Sequence, residues 1–180
     1  MDDQDYIRCP CGAKALNFGG DVHEYLLAVP GCWAMFNEVL EREYSDYGYA
    51  RVHHLTVDSY TSQHPGNDTP QAINSVGVHL SSLYMVLERN LPLGEAARFK
   101  QTLAKANKAQ PLFEQLRPPP SFGPITVERI WEATTPEQHS SIAREWASSV
   151  WQAWKPRHEK VKAWAHSIDF EFSPDASGAC

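Results

Sequence analysis

The chain has 180 residues, 42% hydrophobic and 21% charged, with 16 Lys and Arg against 22 Asp and Glu for a formal charge of −6. That is one domain's worth of chain, enough to bury a single sizeable core. The acidic balance and the lack of long like-charge runs do not support a nucleic-acid footprint or a basic membrane patch, and no apolar stretch reaches the length of a membrane span.

Residues 1 to about 30 are rich in breakers: Pro10, Gly12, Gly19-Gly20 and Pro30-Gly31. They predict an irregular segment without a long helix or central strand. From Cys32 the pattern turns helical, with Phe36, Val39, Leu40 and Tyr44 at three- and four-residue steps. A second helix is predicted over Val52 to Thr61, ending at Gln63-His64-Pro65-Gly66 because the residue before proline is pushed out of helical geometry. A third runs from about Gln71 to Arg89 on the stripe Ala72, Val76, His79, Leu83 and Val86. A shorter polar helix follows over Glu95 to Lys108. The four prolines between Arg117 and Pro124 read as a stiff surface connection, and Thr126 to Ala133 as a short helix. Thr135-Pro136-Glu137-Gln138 carries the strongest helix-start signal, a capping threonine followed by proline and a glutamine three residues on. The helix it opens bears Ile142, Trp146, Val150 and Trp154, and Pro156 kinks or restarts it ahead of Val161 and Ala165. The tryptophans Trp146, Trp151, Trp154 and Trp164 are read as core.

The expected architecture is mainly α: a bundle-like single domain over 1–172, with a small irregular N-terminal lobe (1–31), a helical bundle (32–172) and a flexible tail (173–180). No strand pattern of useful length is visible. The polar opening from Met1 to Pro10 is unlike a signal peptide, so a reducing cytoplasm is the expected compartment. Its four cysteines are then thiols or metal ligands rather than disulfides.

Cys9, Cys11, His23 and Cys32 place three thiols and an imidazole in the lobe, a donor set suited to tetrahedral zinc. A segment with few apolar anchors needs such a staple. The Cys-Pro-Cys gap is tighter than the usual two to four residues, and the competing reading makes Cys32 a buried core thiol and the other two loop residues. Cys180 is expected to be an exposed bystander.

Further on, His54 and Asp58 lie four residues apart, on one helical face. His64 stands where that helix must end, His79 interrupts an apolar stripe, and His139 does the same in the last long helix. Imidazoles from different helices facing one interior are how bundles build metal and catalytic sites. His54, Asp58, His64, His79 and His139 are therefore the candidate catalytic set. Taken singly, each histidine reads as a structural core residue bonded to a carbonyl, and the His54–Asp58 pair as a surface ion pair.

Several strings resemble a known family. Pro30-Gly31-Cys32-Trp33, Glu41-Arg42-Glu43-Tyr44-Ser45-Asp46, His54-Leu55-Thr56-Val57-Asp58, Gln63-His64-Pro65-Gly66, Ser75-Val76-Gly77-Val78-His79-Leu80, Leu87-Glu88-Arg89 and Glu145 to Trp154 are similar to a bacterial family known as domain of unknown function 5946. The resemblance extends from Cys9 to about Trp164 and implies no reaction. The family opens with Cys-Pro-any-Cys-Gly, one residue longer than Cys9-Pro10-Cys11-Gly12 here.

Three functions follow as expectations. The leading one is a metal-dependent enzyme acting on a small-molecule substrate, with zinc in the lobe and a second divalent metal in the histidine pocket. A variant drops that second metal and uses His79 with His54 and Asp58 as acid and base. The third is a zinc-stapled protein-interaction module without catalysis, which an exposed apolar patch on the lobe would favour. No nucleic-acid or membrane partner is expected, and the oligomeric state is left open.

Overall fold

A computed structural model describes residues 5–172. The tail assigned to 173–180, Cys180 included, lies outside the described residues. Two short antiparallel strands, β1 (Tyr6–Arg8) and β2 (Lys14–Leu16), open the fold with Ile7 paired to Ala15. Eight helices follow among the described residues: α1 (Pro30–Ser45), α2 (Tyr47–Ala50), α3 (His53–Gln63), α4 (Pro70–Arg89), α5 (Ala96–Ala109), α6 (Val127–Trp131), α7 (Pro136–Ala153) and α8 (His158–Ala165). The mainly helical class is as expected. The lobe is more ordered than expected, because strands of three residues are too short to show alternation. The short α2 also went unforeseen.

Local chemistry accounts for the helix ends. The Thr69 hydroxyl accepts from the Ala72 amide ahead of Pro70, and Thr135 accepts from Gln138 ahead of Pro136. Each cap satisfies an otherwise orphan amide. Asn90 closes α4 at φ 56°. Pro156 restarts the chain: α7 stops at Ala153, a 3-10 turn covers Lys155–Arg157, and α8 begins.

Helix α3 is the centre of the fold, packed between α4 and α7, while α5 and α8 pack on α4, and α1 holds α6 and β2. Its side chains from Ser59 to Gln63 are all buried, several of them polar, so each needs a partner. The tryptophans of α7 meet this helix: Trp146 donates to Gln63 Oε1 at 2.9 Å and Trp154 to the Ser62 backbone carbonyl at 3.0 Å, while the Ser59 and Ser62 hydroxyls find no protein partner among the described residues. The Gln63 amide nitrogen donates to the Phe122 and Ile125 carbonyls, which fastens the proline-rich connection to α3. That connection buries Leu116 and Phe122 instead of running wholly on the surface. Among the described residues no helix is long and apolar enough to cross a membrane.

The lobe meets the bundle where β2 abuts the first turn of α1. A Cβ at Gly31 would lie 2.2 Å from the Leu16 carbonyl oxygen and 2.9 Å from its nitrogen, and backbone cannot step aside. Gly31→Ala is expected to lift the hairpin from α1, costing about 1–3 kcal/mol as overpacking does. Denaturant melts, paired with a chelator-competition assay for metal retention, check this prediction.

Candidate metal centre and a buried carboxylate–histidine cluster

The turn between β1 and β2 is built by Cys9-Pro10-Cys11-Gly12. The Cys9 amide donates to the Ala13 carbonyl at 2.8 Å, and the Gly12 amide returns to the Cys9 carbonyl at 2.8 Å. Gly12 sits at φ 101°, a backbone state that glycine adopts freely. This tight turn aims both thiols inward despite the short spacing. Cys32 enters from the first turn of α1, and the fourth group comes from 32 residues further on: His64, which caps the end of α3. One donor atom from each of Cys9, Cys11, Cys32 and His64 lies within 4.8 Å of all the others, and all four residues are buried.

The spacing suits a tetrahedron. Zinc–sulfur and zinc–nitrogen bonds of about 2.3 and 2.0–2.1 Å imply edges of about 3.8 Å between sulfurs and about 3.6 Å between sulfur and nitrogen. The Cys11 and Cys32 sulfurs are 3.9 Å apart, and His64 Nε2 is 3.4 Å from the sulfurs of both Cys9 and Cys32. His64 Nδ1–H donates to the Tyr60 carbonyl at 2.7 Å, which leaves Nε2 as a lone pair aimed at the thiols. The Ala13 amide and the Tyr60 hydroxyl donate toward Cys11 and Cys32 sulfur at 3.5 and 3.7 Å.

The electrostatics of the bare site favour a cation. Hydrogen bonds from Cys11 and Cys32 hold the Cys9 thiol far below its ordinary range. Contact with Cys32 lowers Cys11, but its bond to Cys9 and its burial outweigh that and push it up to about 12. Its bonds to Cys11 and Cys9, then burial, drive Cys32 well above the thiol range. One negative charge thus blocks the next. A divalent ion removes that repulsion, so binding releases protons.

His23, expected as the fourth donor, lies instead against Tyr25 and Trp33, at ring separations of 4.4 and 5.8 Å, with Nδ1 unpartnered. Chain proximity suggested it, but the docking of α3 against the lobe delivers His64. An isolated bridge between Leu26 and Pro65 marks that docking. The usable signal was His64-Pro65, a histidine placed where a helix must stop.

The five residues expected in one pocket fall into three places. His64 belongs with the thiols. His139, on the first turns of α7, donates Nε2–H to Glu43 Oε1 at 2.8 Å, and Glu43 also accepts from His53 Nδ1 at 2.8 Å and Thr56 at 2.6 Å. Burial raises the Glu43 carboxyl, but His139, His53 and Thr56 outweigh it and hold it below its ordinary value. His139 is fully buried there, paired with Glu43 and not with Asp58 or His79. Glu43 carried no signal beyond a charged residue on a helix.

His54, Asp58 and His79 do come together, from α3 and α4, with Lys100 of α5 and Ser82. Asp58 is wholly buried and accepts three hydrogen bonds from three side chains: His79 Nδ1–H and Lys100 Nζ at 2.6 Å on Oδ1, and the Ser82 hydroxyl at 2.6 Å on Oδ2. Burial alone would raise its carboxyl, yet Lys100 and then His79 hold it at about 2. Lys100 Nζ also donates to His54 Nδ1 at 3.5 Å. Burial lowers both His79 and His54, the latter with help from Lys100. Both rings are therefore neutral at pH 7, with opposite polarity at their outer nitrogens: His79 Nε2 carries a lone pair, His54 Nε2 a proton. The His79 side chain remains 19% exposed.

His158 donates to the Trp151 carbonyl at 2.8 Å and stacks on its ring, an ordinary structural role. Compared with known proteins, residues 7–155 match the model of a family of unknown function, DUF5946. No curated protein and no solved structure matches the chain.

Proposed function

Since the chain belongs to the DUF5946 family, whose description assigns no reaction, its function has to be read from its own atoms, and we propose that it is a zinc-stapled enzyme that transfers protons on a small polar molecule. In this reading Cys9, Cys11, Cys32 and His64 hold one structural zinc. Four protein donors close a tetrahedral site, and structural zinc centres are closed in this way, whereas catalytic ones keep a position open. The ion contributes charge neutralisation and cross-linking of the hairpin, α1 and α3. It takes no part in the reaction.

The reacting groups are His79 and His54. The observation that carries this is the fully buried Asp58 carboxylate bonded to His79 Nδ1 at 2.6 Å, which sets the tautomer and leaves Nε2 unpartnered. As Nε2 takes a proton from substrate, Asp58 stabilises the imidazolium that forms. His54 Nε2–H donates a hydrogen bond to the atom where negative charge develops, without giving up its proton, and Lys100, bonded to both Asp58 and His54, keeps a positive charge beside it. Three helices hold these groups, so they are positioned before substrate arrives.

A substrate panel covering esters, amides, phosphoesters and carbonyl compounds with acidic C–H bonds tests the reading. His79→Gln is expected to cut kcat/KM by about 100-fold or more, the usual weight of a general base, while zinc content stays unchanged. The wild-type rate should rise with pH through a value below 6.5, because burial lowers His79 and only its neutral form accepts a proton. Turnover that survives His79→Gln sinks the proposal.

A further inference from the structure

A trough of about 560 Å³ opens on the lobe side of the molecule, between the hairpin, α1 and α6. It lies apart from both clusters described above. Leu16, Phe18, Met35 and Trp131 are among the side chains that line it. Leu16, Phe18 and Trp131 remain 48%, 46% and 39% exposed, so large apolar side chains face water at three points around one concavity. Soluble proteins rarely gather exposed apolar groups this way without a use for them.

The rim is mainly acidic, although Arg129 stands 4.0 Å from Glu132. Glu38, Glu128 and Glu132 line the trough, and Lys14 is the single cation among the lining residues. Glu38 accepts from the Trp131 indole at 2.7 Å, which fixes the ring upright against α1, and Glu128 accepts from the Lys14 amide at 2.8 Å, which ties β2 to α6. The walls are thus cross-linked in advance, and carboxylates stand around an apolar bed.

We propose that this trough binds a cationic amphipathic peptide segment of another protein, with apolar side chains over Leu16, Phe18 and Trp131 and Lys or Arg beside Glu38 and Glu132. Charge complementarity selects the cationic partner and repels anionic membranes and nucleic acids, as does the net charge of −6. Shape selects a chain segment over a small molecule. Small-molecule pockets engulf most of their ligand, whereas here the large apolar side chains Leu16, Phe18 and Trp131 stand 39–48% exposed, as in a channel that a strand of chain lies across. The binding does not depend on the proton-transfer proposal, since no residue is shared.

Fluorescence anisotropy on the zinc-loaded full chain tests it, with a dye-labelled peptide of alternating Lys and Leu as probe. Comparison peptides carry Glu in place of Lys, or acetylated Lys. The Lys–Leu peptide should bind, weaken as salt rises, and lose about tenfold in affinity with Glu38→Gln/Glu132→Gln and more with Leu16→Ser/Phe18→Ser. Tyr47→Ser, an exposed aromatic outside the trough, should change nothing. Zinc content and far-UV circular dichroism confirm that each variant stays folded, and His79→Gln should bind the peptide as wild type does. Equal binding of the Glu peptide, indifference to both double variants, or no binding by the Lys–Leu peptide overturns the proposal. So does self-association in sedimentation that Leu16→Ser/Phe18→Ser abolishes, because the trough would then be covered by a second copy.

Discussion

Replacing Cys32 by serine is expected to release the metal and detach the whole N-terminal lobe from the bundle. Cys32 is fully buried, and its sulfur lies 3.9 Å from that of Cys11 and 3.4 Å from His64 Nε2. A serine oxygen is a poor zinc donor and too short to reach the same point, and it also deprives the Tyr60 hydroxyl of its acceptor. Binding energy at structural zinc sites, about 10–16 kcal/mol in small zinc domains, is folding energy. The expected result is less than a tenth of the wild-type zinc by elemental analysis, and a thermal transition lower and broader than wild type. Chelator treatment of the wild type should reproduce that curve. His23→Ala should leave zinc content intact, which separates the two histidines in one experiment. A Cys32→Ser protein that keeps its zinc and its transition would remove the case for the centre.

Asp58→Asn should carry the second-largest penalty. The substitution preserves shape but leaves the half-buried Lys100 ammonium without its counter-charge, and turns an amide toward the His79 N–H. Removing one partner from a buried pair costs about 3–5 kcal/mol. The same residue contributes to the acid sensitivity of the wild type. Its folded carboxyl is held at about 2 against an ordinary 3.8, so its contribution is complete above pH 4 and is lost as pH falls through 2. That contribution is about 2 kcal/mol, from a shift of nearly two units. Urea melts at stepped pH should show wild-type stability dropping over this window and the Asn variant without that component. A double variant, Asp58→Asn with Lys100→Met, should recover part of the loss because no uncompensated charge remains.

The helices could be read from the chain because their signals are local. Thr135-Pro136 and Thr69-Pro70 cap where threonine and proline dictate, and Pro156 interrupts where its missing N–H requires. The hairpin could not, because three residues per strand give no period and its geometry comes from a turn centred on Pro10 and Cys11. Three of the four clustered donors were visible as cysteines within one segment. The fourth was marked only by His64-Pro65 at the stop of α3; His64 and His23 are equivalent as residue types, and the packing of α3 decides between them. For the same reason His139 looked like a neighbour of His79: each breaks an apolar stripe, and a stripe reports which way a side chain faces but not which helix it meets. Glu43 answers His139, and Asp58 answers His79. Lys100, the cation that holds the second cluster together, was invisible, since a lysine on a polar helix ordinarily points to water.

X-ray absorption at the zinc edge on protein purified without a histidine tag tests the centre most directly. One zinc per chain should give three sulfur neighbours at about 2.3 Å and one nitrogen at about 2.0 Å, with the nitrogen shell lost in His64→Ala and kept in His23→Ala. A spectrum dominated by oxygen and nitrogen, or a nitrogen shell that follows His23 instead of His64, would contradict the account.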